Sequence, residues 1–143
     1  MDIQKIDYLP PEIIDIVLES ESEGFRFVRR LVNEYASGEN NFSAEGEALF
    51  AVRRNGVLIG VGGVNIQPGG DSSVGRLRHV YISKSARGLG FGKKLISVIE
   101  SHSRSYFNRL VLLTNFENSI GFYEYLNYRP ENLPKISHQK KLT

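Results

Sequence analysis

The apolar positions of this chain fall into short runs separated by turn signals, and the runs predict alternating strands and helices. Strands are predicted over 48–53 and 57–66, and the Asn55-Gly56 step between them is the strongest short hairpin signal. This hairpin pair should be antiparallel. Further strands are expected near the N-terminus, over 76–83, over the apolar run 110–113, and around Ile136.

Apolar residues at helical spacing mark the other segments. In the clearest of them, Phe25, Val28, Leu31 and Tyr35 share one face, and Gly38 follows as a stop signal. The strand–helix–strand unit over 76–114 needs a crossover, so its two strands should be parallel. The pattern predicts an α/β (α+β) domain whose mixed, mostly antiparallel sheet of about six to seven strands is flanked by helices. The other predicted helices are 11–18, 91–104 and 118–126.

Composition restricts the chemistry. The 143 residues fit a single domain over 1–143, and no linker divides them. The chain has no cysteine, which excludes disulfides, thiolate metal sites and a cysteine nucleophile. The histidines are scattered, so no metal site is expected. Because the sequence has no long apolar run and no signal-peptide pattern, no membrane partner is expected and a cytoplasmic location is predicted.

The charge distribution does not favour binding to nucleic acid. The net charge is only +2, and basic doublets such as Arg29-Arg30 and Lys140-Lys141 are spread along the chain. A nucleic-acid footprint is usually a dense basic cluster, so the doublets are interpreted as solvated faces. No nucleic-acid partner is expected, and a nucleic-acid-binding domain is kept as an alternative hypothesis.

A glycine-rich segment, 87–94, lies between a predicted strand and a predicted helix. Its glycines let backbone N–H groups close on an anion, and the start of the helix adds positive partial charge. The first helical turn carries Lys93 and Lys94, and Arg87 lies just before it. Cations are disfavoured at the start of a helix, so three of them there indicate that a polyanion binds. The segment lacks the Ser/Thr of a Walker loop and the third glycine of a Rossmann loop, so neither ATP nor a dinucleotide is favoured.

The stretch 77–96, LRHVYISKSARGLGFGKKLI, resembles the central motif of the GCN5-related N-acetyltransferases, and GFYEYLNY at 121–128 resembles their second signature. The resemblance implies the acyl-CoA N-acyltransferase (GNAT) fold, with acetyl-CoA as cosubstrate. It also implies that the backbone of Val80, Tyr81 and Ile82 pairs with the pantetheine arm. The residues that would hold the pyrophosphate are Arg87, Gly88, Leu89, Gly90, Phe91, Gly92 and Lys93.

The same resemblance implies that Tyr123 faces the thioester sulfur and protonates the leaving thiolate. A phenol has an ordinary pKa near ~10, close enough to that of a thiol for this task. The alternative is plain packing, because Ile120, Tyr123 and Leu126 are spaced as a core-facing stripe. Asn118 is predicted to cap this helix. The resemblance also implies that an Asn just upstream of the helix contacts the cofactor; its usual spacing to the tyrosine falls between those of Asn118 and Asn115, and Asn118 is favoured.

The base that would deprotonate the amine is not evident. Arg76 and Arg78 hold the strand positions where relatives often carry Glu or His, and neither is a base at neutral pH. Strand alternation points His79 to the opposite face, as a core or interface histidine. A water chain, Glu45 or Glu47 are the remaining choices. The arginines either bind an acidic group on the acceptor or pair with surface carboxylates.

The sequence therefore predicts an acetyl-CoA-dependent N-acetyltransferase that acts by direct attack of a primary amine in a ternary complex. The acceptor is a small-molecule or peptide amine, expected to enter beside the N-terminal helices and the loop that carries Phe42. The alternative is a non-catalytic acyl-CoA-binding sensor or regulatory module of the same fold. A homodimer is a fair default for a small fold.

Overall fold

The computed structural model of the chain describes residues 2–143, which form seven strands and four helices. A single 3₁₀ turn, Lys84–Ala86, precedes the third helix. The strands are β1 (Asp2–Ile6), β2 (Ala48–Arg54), β3 (Val57–Ile66), β4 (Val74–Ile82), β5 (Arg109–Leu112), β6 (Arg129–Leu133) and β7 (Ile136–Lys141). The helices are α1 (Ile13–Ser22), α2 (Phe27–Ser37), α3 (Phe91–Ser103) and α4 (Glu117–Tyr125).

All seven strands belong to one sheet, in the order β1-β2-β3-β4-β5-β7-β6. Only β4 and β5 run parallel, and the other neighbours are antiparallel. The predicted mixed, mostly antiparallel sheet is therefore confirmed, together with the parallel pair across the α3 crossover. The sequence predicted a single strand around Ile136 at the C-terminal end, whereas the structure has the hairpin β6–β7 there.

The helices cover both faces of the sheet, so β2 is apolar at consecutive positions rather than at alternate ones. Leu49 and Ala51 face one side, and Phe50 and Val52 face the other. We call the first side the α1–α2 core, because it includes Ile16, Val28 and Leu31 of those helices. The second is the α3–α4 core, whose buried helix residues are Phe91, Leu95, Ile96, Ile99 and Tyr123.

The predicted turns form with the backbone angles that their residues favour. Asn55 and Gly56 have φ values of 51° and 80°, as a two-residue hairpin of the observed twist requires. Gly38 ends α2 with a φ of 81°. The first helix differs from its prediction, because Pro10 and Pro11 form a preceding turn and α1 then runs from Ile13 to Ser22.

A bulge interrupts β4 near its middle. Gly63 pairs with Arg78 and Val61 pairs with Tyr81, so one residue of β3 faces two residues of β4. His79 takes up the extra length with a φ of 61°, which is uncommon for a residue other than glycine.

The bulge changes the face that the next side chains occupy. The His79 ring nitrogen Nδ1 lies 3.0 Å from the Phe27 carbonyl of α2, and Arg78 also reaches α2, where it lies 3.8 Å from Glu34. The prediction that strand alternation separates Arg78 from His79 is therefore wrong, because the left-handed residue breaks the alternation. The prediction of a buried histidine agrees with the structure, since His79 is only 7% exposed.

Candidate active site

The glycine-rich segment forms a tight turn that ends at the first residue of α3. Gly88 and Gly90 have φ values of 77° and 88°, a region that other residues enter at a cost. The first helical hydrogen bond at this end runs from the Lys94 N–H to the Gly90 carbonyl at 3.1 Å. The N–H groups of residues 88–93 come before that bond and remain available to an external acceptor. The turn thus offers a row of amide donors to an anion, as predicted.

Gly92 brings α4 against this turn. A Cβ atom at Gly92 would lie 3.3 Å from Cζ of Phe122, which is closer than most such contacts. A side chain at this position would require the Phe122 ring to move by a few tenths of an ångström. Since Tyr123 follows Phe122, its helix is held beside the start of α3.

Arg87 does not present a free cation to the turn. Its guanidinium makes two hydrogen bonds to the Glu23 carboxylate, at 2.6 and 2.7 Å, and Nε donates to the Ile82 carbonyl at 2.9 Å. This contact lowers the pKa of Glu23 to about 2, chiefly through the hydrogen bond from Arg87. The expectation that three cations surround the helix start is corrected, because the charge of Arg87 is neutralised while Lys93 and Lys94 are exposed.

Glu23 also joins the α1 helix to β4. The Tyr81 hydroxyl lies 2.6 Å from a Glu19 carboxylate oxygen and 2.5 Å from a Glu23 oxygen, and Arg87 stacks over the Tyr81 ring. Burial and then the two carboxylates raise the pKa of Tyr81 well above its ordinary value. Sequence reasoning missed this cluster, because residues more than fifty positions apart carry no local signal of contact.

An open strand edge lies next to the glycine turn. β4 pairs with β5 only from Val74 to Arg76, and beyond that point it is paired only with β3. The second edge of β4, including Val80 to Ile82, therefore faces a gap between the two parallel strands. Unpaired N–H and C=O groups on such an edge can accept an extended ligand as an added strand.

Tyr123 is buried in the α3–α4 core and is 8% exposed. Burial alone raises its pKa, so its phenol stays protonated at neutral pH. Its ring meets that of Tyr128 edge to face, at a centroid distance of 5.6 Å. The packing interpretation of Tyr123 thus agrees with its burial, which also makes the phenol a weaker acid than a free tyrosine.

A buried charge network holds Tyr128 in place. The Tyr128 hydroxyl donates to Glu100 Oε2 at 2.7 Å, and Lys140 Nζ lies 3.0 Å from the same oxygen. Lys140 also donates to the Leu126 carbonyl at 2.9 Å, just after α4. The network ties α3, the end of α4 and β7 together around the ring that supports Tyr123.

Asn118 does not cap α4. Phe116 is the residue at the N-cap, with no side-chain cap, and the helix starts at Glu117. Asn118 is exposed in the first turn of the helix. The predicted capping role is wrong, because the extended Phe116 already begins the turn one residue before Glu117.

Glu47, one of the two carboxylates considered as the base, has other partners. Its carboxylate accepts hydrogen bonds from the Asn65 side chain and the Ile66 N–H, both at 3.0 Å, so it supports the end of β3. Glu45 is exposed. Burial, then the charges of Arg78 and Arg30, lower the pKa of His79 to about 3. Phe42 is largely buried, and its ring meets that of His79 edge to face.

The loop around Phe42 borders a separate cleft. This cleft of about 500 Å³ is lined by loop residues 41–47 together with Tyr35, His102 and Tyr106. His102 is eleven residues into α3 from Phe91, which is about 16 Å along a helix that rises about 1.5 Å per residue. The cleft therefore lies at the opposite end of α3 from the glycine turn.

An aromatic contact spans the gap between β4 and β5. Phe25, in the turn between α1 and α2, meets Phe116 before α4 edge to face at a centroid distance of 4.8 Å. Phe25 also lies 5.6 Å from Phe27. The contact thus places the α1–α2 turn beside the segment that joins β5 to α4.

Within residues 2–143, no three histidine or carboxylate side chains are grouped as metal ligands would be. None of the helices in that part of the chain has the length and apolar character needed to cross a membrane.

The family model described as "Acetyltransferase (GNAT) family" matches residues 12–128. Glucosamine 6-phosphate N-acetyltransferase of Trypanosoma brucei brucei is 36% identical over 84 residues, which are 57% of this chain and 57% of that protein. This chain spans little more than half the length of the curated relatives it matches.

Two solved structures share the fold along nearly the whole chain. A candidate acetyltransferase from Exiguobacterium sp. 255-15 is 28% identical with a TM-score of 0.84, and the match covers 99% of this chain and 94% of that one. An aminoglycoside 6'-N-acetyltransferase complexed with coenzyme A is 17% identical with a TM-score of 0.72, over 100% and 98% of the two chains.

Proposed function

Because the chain belongs to the acetyltransferase (GNAT) family, we propose that it transfers the acetyl group of acetyl-CoA to a primary amine by direct attack in a ternary complex. The observation that carries this proposal is the open edge of β4 beside a turn of unpaired amides. A pantetheine arm is an extended amide chain that ends in a pyrophosphate, so its two parts suit these two features. The coenzyme A bound to a structural neighbour supports the assignment.

The described residues fit the cosubstrate in chemical type. In the proposal, the N–H groups of 88–93 bind the pyrophosphate, and the backbone of Val80 to Ile82 pairs with the pantetheine. Exposed Lys93 and Lys94 add positive charge near the phosphates. Arg87 acts by positioning, because its bonds to Glu23 and Ile82 fix the chain just before the turn. Asn118 is retained as a weaker contact, on the exposed first turn of α4.

In the reaction, the amine nitrogen attacks the thioester carbonyl, a C–N bond forms, and the C–S bond breaks. The sulfur leaves with the electron pair and receives the phenol proton of Tyr123, and the resulting phenolate takes a proton back from solvent water. N–H groups on the β4 edge stabilise the negative charge that develops on the carbonyl oxygen. Tyr123 is the candidate because α4 is held against the start of α3. Its phenol carries a proton at neutral pH, and because burial raises its pKa it donates that proton to the developing thiolate as the C–S bond breaks and not before.

The proton of the attacking amine is assigned to solvent water. Arg76 and Arg78 cannot accept it at neutral pH, and the depressed pKa of His79 makes that ring a weak base. Glu47 is bound to Asn65 and to the backbone. Water can reach the amine from the acceptor side, where residues of the α1–α2 turn are partly exposed.

Tyr123→Phe tests the proposal against a non-catalytic acyl-CoA-binding module. The enzyme should lose about a hundredfold or more in kcat, the usual range for removing a general acid. Its acetyl-CoA Kd, measured by calorimetry, should change little because Phe keeps the ring. The control is Tyr125→Phe, since Tyr125 lies on the same helix and is 72% exposed. Equal turnover in wild type and Tyr123→Phe would remove Tyr123 from the mechanism.

The cofactor assignment has an independent test. Acetyl-CoA and coenzyme A at about a hundred times their Kd should stabilise the protein by about 2.7 kcal/mol, whereas ATP and NADH should not. A thermal-shift measurement reports this as a rise of several degrees in Tm. If neither coenzyme A species raises Tm, the glycine turn is only a structural turn and the proposed function fails.

A further inference from the structure

Two arginines lie where β4 and β5 separate. Arg76 is the last residue of β4 that pairs with β5, and Arg78 follows two residues later on the same face.

Arg76 has only neutral partners among residues 2–143. One guanidinium nitrogen donates to the Gln67 side chain at 3.1 Å, and the other donates to the Lys135 carbonyl at 2.7 Å. Burial and the nearby charge of Arg78 lower the pKa of Arg76, as expected for a cation without a counter-charge. Several of its five N–H donors remain for a ligand.

Arg78 is paired only loosely. Its distance to the Glu34 carboxylate is 3.8 Å, which is beyond a hydrogen bond. Other arginines of this chain bind their carboxylates closely, at 2.6 Å for Arg87 and 3.0 Å for Arg53. The hypothesis that surface carboxylates pair with these arginines therefore does not describe Arg76, and for Arg78 it describes one long ion pair with Glu34.

His79, next to Arg78 in the chain, has one unpartnered polar atom. Its Nε2 atom is buried and has no hydrogen-bond partner among residues 2–143. Nδ1 faces the Phe27 carbonyl and so carries the proton, which leaves Nε2 as an acceptor. A bound water can supply the missing donor, whereas an anionic group cannot, so His79 is not assigned to the anion.

We propose that the acceptor amine also carries an anionic group, a phosphate or a carboxylate, which Arg76 and Arg78 bind while the amine reaches the thioester. This inference rests on the proposed function and names its substrate class. Guanidinium groups recognise both anions through paired hydrogen bonds. Glucosamine 6-phosphate, after which the relative from Trypanosoma brucei brucei is named, is an amine that carries a phosphate.

The test uses amines matched in length and differing in charge. 3-Aminopropanol, β-alanine and 3-aminopropyl phosphate form one series, and glucosamine with glucosamine 6-phosphate forms another. We expect kcat/KM to be about ten- to a hundredfold higher for the anionic members, the range for hydrogen bonds to charged groups. Comparing the carboxylate with the phosphate member shows which anion is preferred. Added salt should reduce the difference.

Substitution of each arginine tests whether it causes the preference for anionic amines. Arg76→Met and Arg78→Met should each bring the anionic-to-neutral ratio towards one, while the neutral amines change little. Arg53→Met is the matched control, a partly buried arginine on β2 whose partner is Glu12. It should leave the ratio unchanged. The acetyl-CoA Kd of each variant shows whether the fold and the cofactor site are intact.

Binding to the protein saturated with coenzyme A gives a readout that does not need turnover. Calorimetry should show tighter binding of the anionic amines to wild type, and the preference should be lost in Arg76→Met. If the amines are distinguished in this way but no acetyl transfer occurs, the proposed function fails and the inference stands. The inference is overturned if acetyl transfer shows no preference for the anionic amines. It is equally overturned if binding is measurable and shows no such preference.

Discussion

The buried network of Glu100, Tyr128 and Lys140 gives a prediction that can be worked out in free energy. Glu100 is 7% exposed and faces the Lys140 ammonium at 3.0 Å. Glu100→Gln leaves that ammonium without a counter-charge in a mostly buried position, which typically costs about 3–5 kcal/mol. Because the Lys140 side chain is 20% exposed and can reach some water, we expect the lower end, about 3 kcal/mol.

The assay is urea denaturation followed by circular dichroism, with the free energy of unfolding extrapolated to water. A loss of about 3 kcal/mol corresponds to a fall of about 10 °C in Tm for a domain of this size. Tyr128→Phe is a control, since it removes one hydrogen bond and keeps the ion pair. It should cost about 1–2 kcal/mol.

A double variant tests the reason for the loss. Glu100→Leu with Lys140→Leu removes both charges, and replacing a buried pair by apolar residues is often nearly neutral. The double variant should therefore be more stable than Glu100→Gln alone, although the Tyr128 hydroxyl and the Leu126 carbonyl lose partners. The reasoning would be refuted if Glu100→Gln lost less than about 1 kcal/mol. It would also be refuted if the loss in the double variant equalled the sum of the losses in Glu100→Leu and Lys140→Leu measured separately.

Two further predictions concern acid stability and the glycine turn. The pKa of His79 is about 3 in the fold, below its ordinary 6.5, so the unfolded chain binds the proton more readily. Unfolding free energy should fall as pH drops from 6.5 towards 3, and His79→Asn, which tolerates a positive φ, should flatten that slope in urea titrations at several pH values. Gly90→Ala should lower unfolding free energy by about 1 kcal/mol because of its positive φ, and should weaken acetyl-CoA binding in calorimetry. An unchanged pH dependence of stability in His79→Asn would contradict the account of His79. An unchanged acetyl-CoA affinity in Gly90→Ala would contradict the account of the glycine turn.

The sequence predicted most of the elements because their signals are local. Asn55-Gly56 and the glycines of 88–92 specify turns by their own backbone freedom. β6 was missed because its residues, Arg129–Leu133, form a mostly exposed edge strand that contains Pro130 and lacks alternation. An edge strand of this kind is held by β7, and its own sequence contains no sign of that partner.

The candidate site was predictable only where it is made of backbone. The bulge at His79 escaped prediction because histidine does not mark a positive φ as glycine does, and its partner Gly62 lies on another strand. Arg87 was correctly placed before the turn, but its neutralisation by Glu23 depends on how α1 packs over β4. The side-chain chemistry of the site is therefore set by tertiary contacts between distant segments.

The short pairing between β4 and β5 has a mechanical consequence. The sheet consists of two halves, β1 to β4 and β5 to β7, and each half is internally joined by antiparallel ladders. Only the three residue pairs from Val74↔Arg109 to Arg76↔Val111 connect them within the sheet. Beyond Arg76 no backbone ladder joins the halves, and the packing of the α3–α4 core, which contains residues of both, takes its place. Force applied across the sheet at this point would therefore be carried by side-chain packing rather than by hydrogen bonds between strands.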